Sequence, residues 1–420
     1  MTFSVNFITL SSLMSLVTLS QLTAQTPDYL TGKRLYSTVE KFVSLGEHRT
    51  GTETDRNTSA WLGNELRQAG YAVKYLEFPV KQFFFDKGTL STGAKAINVF
   101  PLWYVNDKIP LQVDAPIFDS RTSSQPSDFS GKIVLTRLSG QIGHNAILKP
   151  LIDGGAKAIV AITENPSGEI VAINTSYSTE PWPIPIVLVA PKDSASILAA
   201  VTAHKTASLA IKGTFRDVIA RNIYGEIGNG PKTIVVSTPI SGWFTCGGER
   251  GPGIAAWLAL AKWASEAKLP YTFLFTANSG HELANLGARQ LLETIAPKPA
   301  DTQLWVHLGA GIATRKWAKT EAGYAPTNQV DANRQIVYSP TVKGSFEQSF
   351  QAIHGRKAVT DKGVGELIEV VKKGYPNFLA IAGAHFLFHA PMDDAKATSP
   401  ELLEKITLAL KQFIEQEARR

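Results

Sequence analysis

The chain has 420 residues, of which 44% are hydrophobic and 19% charged, a composition typical of a folded globular protein. Its length allows two domains, or one large domain with a sizeable insert. The formal net charge is +6, but no run of five or more like charges concentrates it, so we do not expect a nucleic-acid-binding surface.

The first 24 residues have the pattern of an export signal. Residues 10–22 are apolar and rich in Ser and Thr, too short to span a bilayer, and Thr23 and Ala24 follow. No Lys or Arg precedes Lys33, so an uncleaved anchor stays the alternative. Because no later stretch of about 18 residues is apolar, we expect a secreted or periplasmic protein with no transmembrane segment after signal removal.

Cys246 is the single cysteine, so no disulfide can form within the chain. A small buried apolar residue and a reactive thiol are the two interpretations of this side chain.

The segment after the signal predicts helices followed by a strand. Leu35, Val39 and Phe42 share one helical face, and a second helix over residues 57–69 ends at Gly70. Residues 73–78 then alternate between apolar and polar, as in a half-buried strand.

Residues 99–214 have a different pattern. Short strand-like runs occupy residues 133–136, 158–162 and 184–189, and one helix is expected over residues 147–153. Turn signals separate these runs, so we predict a small β-rich domain.

From residue 215 onward strands and helices alternate. We predict strands over residues 223–227, 233–237 and 271–276 and helices over residues 253–267, 283–295, 345–354 and 400–417. Alternation of this kind indicates an α/β fold with a mostly parallel or mixed sheet sandwiched by helices.

Several short motifs occur in an order that resembles metallopeptidase family twenty-eight, which holds zinc aminopeptidases, glutamate carboxypeptidase, the transferrin receptor and glutaminyl cyclase. They are Arg49-Thr50-Gly51-Thr52, Trp61-Leu62, Ala69-Gly70-Tyr71, Asn222-Ile223-Tyr224-Gly225 and His389-Ala390-Pro391-Met392-Asp393. The resemblance implies a zinc-aminopeptidase (phosphorylase/hydrolase-like) fold formed by residues 25–98 and 215–420, with residues 99–214 as an inserted protease-associated domain.

The family's chemistry uses two zinc ions bridged by a carboxylate and a water. In this chain Pro239 and Ser241 match the family's first His and Asp ligands, and Gly309 matches a later Asp. Proline and glycine offer no ligand atom, and a serine hydroxyl is a poor zinc ligand beside a carboxylate. The resemblance therefore implies a reduced metal site.

Three of the matched positions keep a side chain that can bind zinc: Glu249, Glu282 and His389. Three such ligands with an open position are typical of a catalytic zinc, so we expect one zinc ion at most, or none. The extra methylene of Glu249, which matches an Asp, argues against the ion. Asp393 is the expected partner of His389 by the same resemblance.

His281 matches the family's general base, a glutamate. Its ordinary pKa of about 6.5 suits proton transfer at neutral pH, although a hydrogen bond to substrate and a purely structural role are alternatives. Arg250 either orients a substrate carboxylate or pairs with Glu249 or Glu282 in a metal-free network. Ser241 is a less favoured nucleophile, for which His281 or His307 would be the base.

Trp243, His307 and Glu366 are further candidates for contacts to a substrate or to the catalytic groups. Trp243 either forms the floor of a pocket or belongs to the core. His307 and Glu366 lie near predicted strand ends, where a structural role is the alternative.

Three functions follow from these residues. The leading hypothesis is an exported, aminopeptidase-fold hydrolase that uses one metal ion on a peptide-like or amide-like bond of a peptide or small molecule. The alternatives are a catalytically inactive binding protein of the same fold, and a metal-free enzyme that uses Ser241, Glu249, Arg250, His281 and His389 on a non-peptide substrate. The sequence does not determine the oligomeric state.

Overall fold

A computed structural model describes Met1 and residues 26–93, 96–123, 125–140, 144–174 and 180–420. The predicted export signal, apart from Met1, lies outside the described residues. Among the residues that the structure describes, no helix is long and apolar enough to cross a membrane.

Nine α-helices occur in the described residues. They are α1 (Gly32–Ser44), α2 (Glu53–Gln68), α3 (Asn145–Asp153), α4 (Ser194–Thr202), α5 (Gly251–Ala267), α6 (Leu286–Thr294), α7 (Lys343–Phe350), α8 (Leu367–Lys372) and α9 (Pro400–Glu417).

The described strands are β1 (Ala72–Ser91), β2 (Ala96–Asn98), β3 (Phe100–Pro101), β4 (Gln112–Asp119), β5 (Ile133–Leu138), β6 (Ala158–Thr163), β7 (Ile186–Val189), β8 (Thr206–Ile227), β9 (Thr233–Pro239), β10 (Thr272–Asn278), β11 (Thr302–Leu308), β12 (Arg315–Thr320), β13 (Gly323–Val330), β14 (Gln335–Tyr338), β15 (Arg356–Val359) and β16 (Phe378–Ala382).

Fourteen of these strands form one mixed sheet in the order β15-β14-β16-β11-β9-β10-β8-β4-β5-β6-β7-β3, with β1 paired to β8 and to β2. The central strand β9 runs parallel to β10 and β11, and β11 runs parallel to β16. The remaining two strands, β12 and β13, form a separate antiparallel hairpin.

Alternate side chains of β9 enter different cores. Ile234 and Val236 pack with α1, α5 and α9 on one face, whereas Val235 packs with α6 and α8 on the other. A strand buried on both faces is apolar at successive positions, which explains why this segment is a continuous apolar run. The predicted sheet between helical layers is therefore confirmed.

Helix starts follow from capping side chains. Ser399 Oγ accepts a hydrogen bond from the N–H of Leu402, and Pro400 occupies the first turn, so α9 begins where the sequence predicts it. Thr52 caps α2 in the same way through the N–H of Asp55. Because of this cap, α2 begins four residues earlier than predicted.

A second core lies in the half of the sheet formed by β4 to β7. All six residues of β6 are buried there, among apolar side chains of β5, β7, α3 and α4. The 22-residue strand β8 pairs with β4 at its start and with β10 at its end, and so connects the two halves. Since β8 runs through residue 214 without a break, a separate insert over residues 99–214 stays a prediction.

Candidate functional site

Neighbouring parallel strands bring the candidate residues to one edge of the sheet. Strand β9 ends two residues before Ser241, β10 ends three residues before His281, and β11 ends at the residue before Gly309. The carboxyl ends of parallel strands are the usual place for a ligand site in an open α/β sheet. The fold therefore places these segments where the sequence predicts the site.

Glu282 is held entirely by protein donors. Its Oε1 accepts hydrogen bonds of 2.7 Å from both the N–H and the hydroxyl of Thr50, and its Oε2 accepts one of 2.7 Å from Ser241 Oγ. The side chain is buried. This carboxylate fastens the N-terminal Arg49–Thr52 turn to the edge of the sheet.

Glu249 and Arg250 form a fully buried ion pair. Arg250 Nη2 lies 2.7 Å from Glu249 Oε1, and each side chain is 1% exposed. His389 Nε2 approaches the same oxygen at 3.3 Å. Burial by itself raises the pKa of Glu249, but the charges of Arg250 and His389 outweigh it and hold that pKa well below its ordinary value.

The guanidinium of Arg250 is also held on its other side, since Nε donates to the backbone oxygen of Ser241 at 2.8 Å. With 1% of its side chain exposed, Arg250 is enclosed by the protein. Of the two alternatives, the geometry favours the pair with Glu249, and a role in orienting a substrate carboxylate stays a prediction.

Asp393 supports the turn before α5 rather than His389. Its Oδ1 accepts a hydrogen bond from the N–H of Gly248 at 2.8 Å and its Oδ2 accepts one from the N–H of Glu249 at 2.9 Å. The imidazole near Asp393 is that of His385, whose Nε2 lies 3.6 Å from Asp393 Oδ2. The expected pairing of Asp393 with His389 is therefore corrected.

His389 instead contacts the region between β6 and β7. Its Nδ1 lies 3.0 Å from the backbone oxygen of Ala172, and the N–H of Ala172 donates to the backbone oxygen of His389 at 2.9 Å. These two contacts connect residues 171–174 with the edge of the sheet at which β9, β10 and β11 end.

His281 and Glu366 form a pair that reaches solvent. His281 Nδ1 lies 3.4 Å from Glu366 Oε1, and the imidazole side chain is 11% exposed whereas the carboxylate is 2% exposed. Asn278 donates to Glu366 Oε2 at 2.9 Å. Burial raises the pKa of Glu366, but the hydrogen bond and charge of His281 more than offset this effect and lower the pKa.

His307 lies beneath this pair and is completely buried. Its Nδ1 is 3.1 Å from Ser237 Oγ, and burial lowers its pKa to about 4, so the ring is neutral near pH 7. This burial favours the structural alternative for His307, and a direct contact with a substrate stays a prediction.

Ser241 and Trp243 are structural as well. Ser241 is fully buried, donates its hydroxyl proton to Glu282 and accepts a hydrogen bond from the N–H of His281 at 3.1 Å. The hydroxyl proton is directed at Glu282, and neither His281 nor His307, the bases that the sequence suggests for Ser241, accepts it. Trp243 belongs to the core, where it packs on Trp103 and donates to Asn174 Oδ1 at 2.7 Å.

A zinc ion held by Glu249, Glu282 and His389 does not fit this arrangement. Within the described ranges, no group of three or more His, Cys, Asp and Glu side chains is arranged to hold a metal ion. Glu249 and His389 face each other, but both oxygens of Glu282 are already hydrogen-bonded. A catalytic zinc needs three protein ligands, so the predicted metal site is corrected to a network of protein groups.

Two residues of the site escape the sequence reasoning. Thr50 belongs to the Arg49–Thr52 motif, yet no local sequence signal shows that its hydroxyl donates to Glu282. Asn278 orients Glu366; a polar residue directly after the apolar run of β10 was the signal for it.

No protein-family model matches the sequence, and a search of curated proteins finds no match. Solved structures do match this chain. BSAP, a zinc aminopeptidase from Bacillus subtilis, superposes with a TM-score of 0.75 at 17% identity, over 92% of this chain and 95% of that one. The chain has the zinc-aminopeptidase fold.

Two further structures agree with this assignment. A metallopeptidase family twenty-eight precursor from Shewanella amazonensis gives a TM-score of 0.74 at 15% identity, over 91% of this chain and 92% of its own. An aminopeptidase from Aneurinibacillus gives a TM-score of 0.65 at 15% identity, over 93% of this chain and 96% of its own. The predicted fold is confirmed, and it is the fold of peptidase-type hydrolases; what the chain does with this fold depends on its own residues.

Proposed function

We propose that this chain binds a small peptide-like or amide-like molecule and does not hydrolyse it with zinc. The observation that supports this proposal is the 2.7 Å contact between Arg250 Nη2 and Glu249 Oε1 in a fully buried setting. The resemblance expects a zinc ion beside the carboxylate at position 249, and a fixed positive charge from the protein lies there instead.

A divalent cation next to Arg250 would be strongly repelled. Two unit charges 4 Å apart interact by about 4 kcal/mol at an effective dielectric constant of about 20, so a divalent ion would experience about 8 kcal/mol. Arginine keeps its proton at any ordinary pH, so the repulsion cannot be relieved by deprotonation. Glu249 therefore serves as the counter-charge of Arg250.

The test is the metal content and peptidase activity of the purified chain. We expect substoichiometric zinc by mass spectrometry before and after equilibration with excess zinc, and no release of amino acids from a panel of dipeptides and aminoacyl anilides. One zinc per chain, lost in both Glu249→Gln and His389→Gln and accompanied by peptide hydrolysis, would reject the proposal.

The pair of His281 and Glu366 favours a second function, that of a metal-free hydrolase. Glu366 holds the Nδ1 side of the ring at 3.4 Å, which favours the tautomer with the proton on Nδ1 and leaves Nε2 free to accept one. An imidazole oriented in this way can remove a proton from a water molecule that attacks a carbonyl carbon.

Hydrolysis of activated esters and amides by metal-stripped protein separates the two functions. A metal-free hydrolase should lose its activity in both His281→Ala and Glu366→Gln while circular dichroism stays unchanged. The control is His204→Asn, which changes an exposed histidine with a left-handed backbone (φ 49°). Activity that is absent in the parent chain, or that survives in both variants, rejects this second function.

We also infer that the chain is exported and that residues 99–214 form a protease-associated insert. The apolar stretch before Ala24 supports export, and the separate core around β6 supports the insert. Fractionation of expressing cells with N-terminal sequencing tests the first point; we expect a mature chain that starts near Gln25 outside the cytoplasm.

A further inference from the structure

A large cleft lies next to His389, between residues 164–171 and the hairpin of β12 and β13. Its volume is about 1030 Å³. Residues 384–388, which precede His389, form another wall, and α9 contributes Leu402, Lys405 and Ile406. None of the catalytic residues that the sequence predicts lines this cleft.

Arg334 lines the cleft with a guanidinium that the backbone holds in place. The side chain is 5% exposed. Its Nε donates to the backbone oxygen of His354 at 2.8 Å and its Nη1 donates to the backbone oxygen of Ile312. No described residue accepts a hydrogen bond from Nη2, so a donor of fixed direction is available to a ligand.

Two exposed lysines, Lys316 and Lys405, line the same cleft. Neither has an acidic partner among the described residues, in contrast to Lys343 and Lys411, which form ion pairs along their helices. Two carboxylates, Glu164 and Asp331, line the cleft as well, so its three cationic side chains leave an excess of one positive charge. The cleft therefore favours an anionic ligand.

Aromatic rings supply an apolar wall. Trp317 stacks on Phe386 with ring centroids 5.1 Å apart and an interplanar angle of 15°, and both rings are half-buried and line the cleft. Phe388 lines it too, and stacks on His389 at 3.9 Å. Half-buried rings of this kind bind apolar groups, aromatic ones above all.

We propose that this cleft binds a molecule that carries a carboxylate next to an aromatic or branched apolar group, such as the C-terminal end of a short peptide. The carboxylate would accept hydrogen bonds from Arg334 and be attracted by the positive charges of Lys316 and Lys405. The apolar group would pack on Trp317 and Phe386. The inference rests on the proposed function, since it names the ligand class and the place where that ligand binds.

Calorimetric titration of the full chain with N-acetylphenylalanine and with its uncharged amide tests this inference. The acid should bind at least about tenfold more tightly than the amide, because only the acid makes charge-assisted hydrogen bonds. Lys405→Glu and Lys316→Glu should each weaken the acid about tenfold and leave the amide unchanged. Lys74→Glu, a matched charge change on β1 outside the cleft, should alter neither.

Arg334→Lys keeps the charge but removes the planar guanidinium, and it should also weaken binding of the acid. Because buried Arg334 also supports the backbone, the two exposed lysine variants carry the test if this variant unfolds. Equal affinities for acid and amide, no binding of either, or unchanged affinity in both lysine variants would overturn the inference.

The failure of this inference can be told apart from that of the proposed function. Acid binding that is lost in His281→Ala but kept in Lys405→Glu places the ligand beside His281, and it overturns the cleft assignment alone. Stoichiometric zinc with peptide hydrolysis overturns the proposed function, and the binding data for the acid and the amide still decide on the cleft.

Discussion

The ion cluster of Glu249, Arg250 and His389 and the pair of His281 and Glu366 lie at the same edge of the sheet, yet they use charge differently. In the ion cluster every side chain is 1% exposed. In the pair the carboxylate is buried but the imidazole is 11% exposed. The first arrangement neutralises itself inside the protein, and the second presents a titratable group to the solvent.

This difference shows two ways of compensating a buried carboxylate at one edge of a sheet. A buried carboxylate needs a counter-charge, because its desolvation is otherwise too costly. Arg250 supplies that charge for Glu249, whereas Glu366 is hydrogen-bonded by His281 and Asn278, and one ring nitrogen of His281 stays available. If the edge retains any chemistry, it belongs to the second arrangement.

The largest effect is expected from breaking the ion cluster. Arg250→Met leaves Glu249 buried without its main counter-charge, so the free energy of unfolding should fall by about 3–5 kcal/mol. Guanidinium denaturation followed by circular dichroism measures this loss. Lys262→Met, which breaks an exposed pair with Glu266, should cost less than about 1 kcal/mol; a similarly small loss for Arg250→Met would contradict the assigned role.

The buried imidazole of His307 should make the free energy of unfolding depend on pH. Burial lowers the pKa of His307 from 6.5 to about 4, so the folded chain binds fewer protons than the unfolded chain between these values. Stability that is fully present above pH 6.5 is lost as the pH falls to about 4, by about 3 kcal/mol. His307→Gln should remove this contribution.

The measured quantity for His307 is the difference in unfolding free energy between parent and variant across this pH range. A difference is needed because burial raises the pKa of Asp55 to about 7. The folded chain then binds more protons at Asp55 than the unfolded chain does, which contributes the opposite slope. A parent-minus-variant curve that is flat between pH 4 and 6.5 would show that His307 is not the cause.

A smaller effect is expected where the N-terminal turn meets the site. Thr50→Val keeps the shape of the side chain but removes the hydroxyl that donates to Glu282 Oε1, so the free energy of unfolding should fall by about 1–3 kcal/mol. Thr294→Val, at an exposed position of α6, is the matched control and should change it by less than about 0.5 kcal/mol. Equal losses in the two variants would argue against the role of Thr50.

The smallest change in stability is expected at the pair itself. His281→Ala should alter the free energy of unfolding by less than about 1 kcal/mol, because the imidazole is partly exposed and its contact with Glu366 is long. The pKa of Glu366 should rise, since the hydrogen bond and charge of His281 that lower it are gone. Carboxyl-carbon NMR titration, assigned with Glu366→Gln, detects this rise; an unchanged titration would show that the two groups do not interact.

The sequence alone was enough for the α/β fold with a sheet between helices. Apolar runs such as β9 and capping residues such as Ser399 are local signals, and local signals determine most element positions. The lengths of β1 and β8 were not predicted, because a long ribbon with many exposed residues shows no continuous apolar pattern.

The resemblance also directed attention to the residues at the end of β9, β10 and β11, and it implies that zinc ligands are absent at Pro239, Ser241 and Gly309. It left open whether Arg250 binds a substrate or pairs with Glu249 and whether Ser241 is a nucleophile, and it paired Asp393 with His389, whereas Asp393 contacts Gly248, Glu249 and His385. The partners of Ser241 and Asp393 come from other segments: Ser241 and Glu282 are 41 residues apart in the chain, and Gly248 and Asp393 are 145 apart.

Only the tertiary structure decided how each charge is compensated. Glu282 is stabilised by hydrogen-bond donors from the N-terminal turn, Glu249 by the charge of Arg250, and Glu366 by a contact with a histidine that follows another strand. Charge compensation acts over a few ångströms of space and not along the chain, so the residue types showed which groups were available and packing determined their partners.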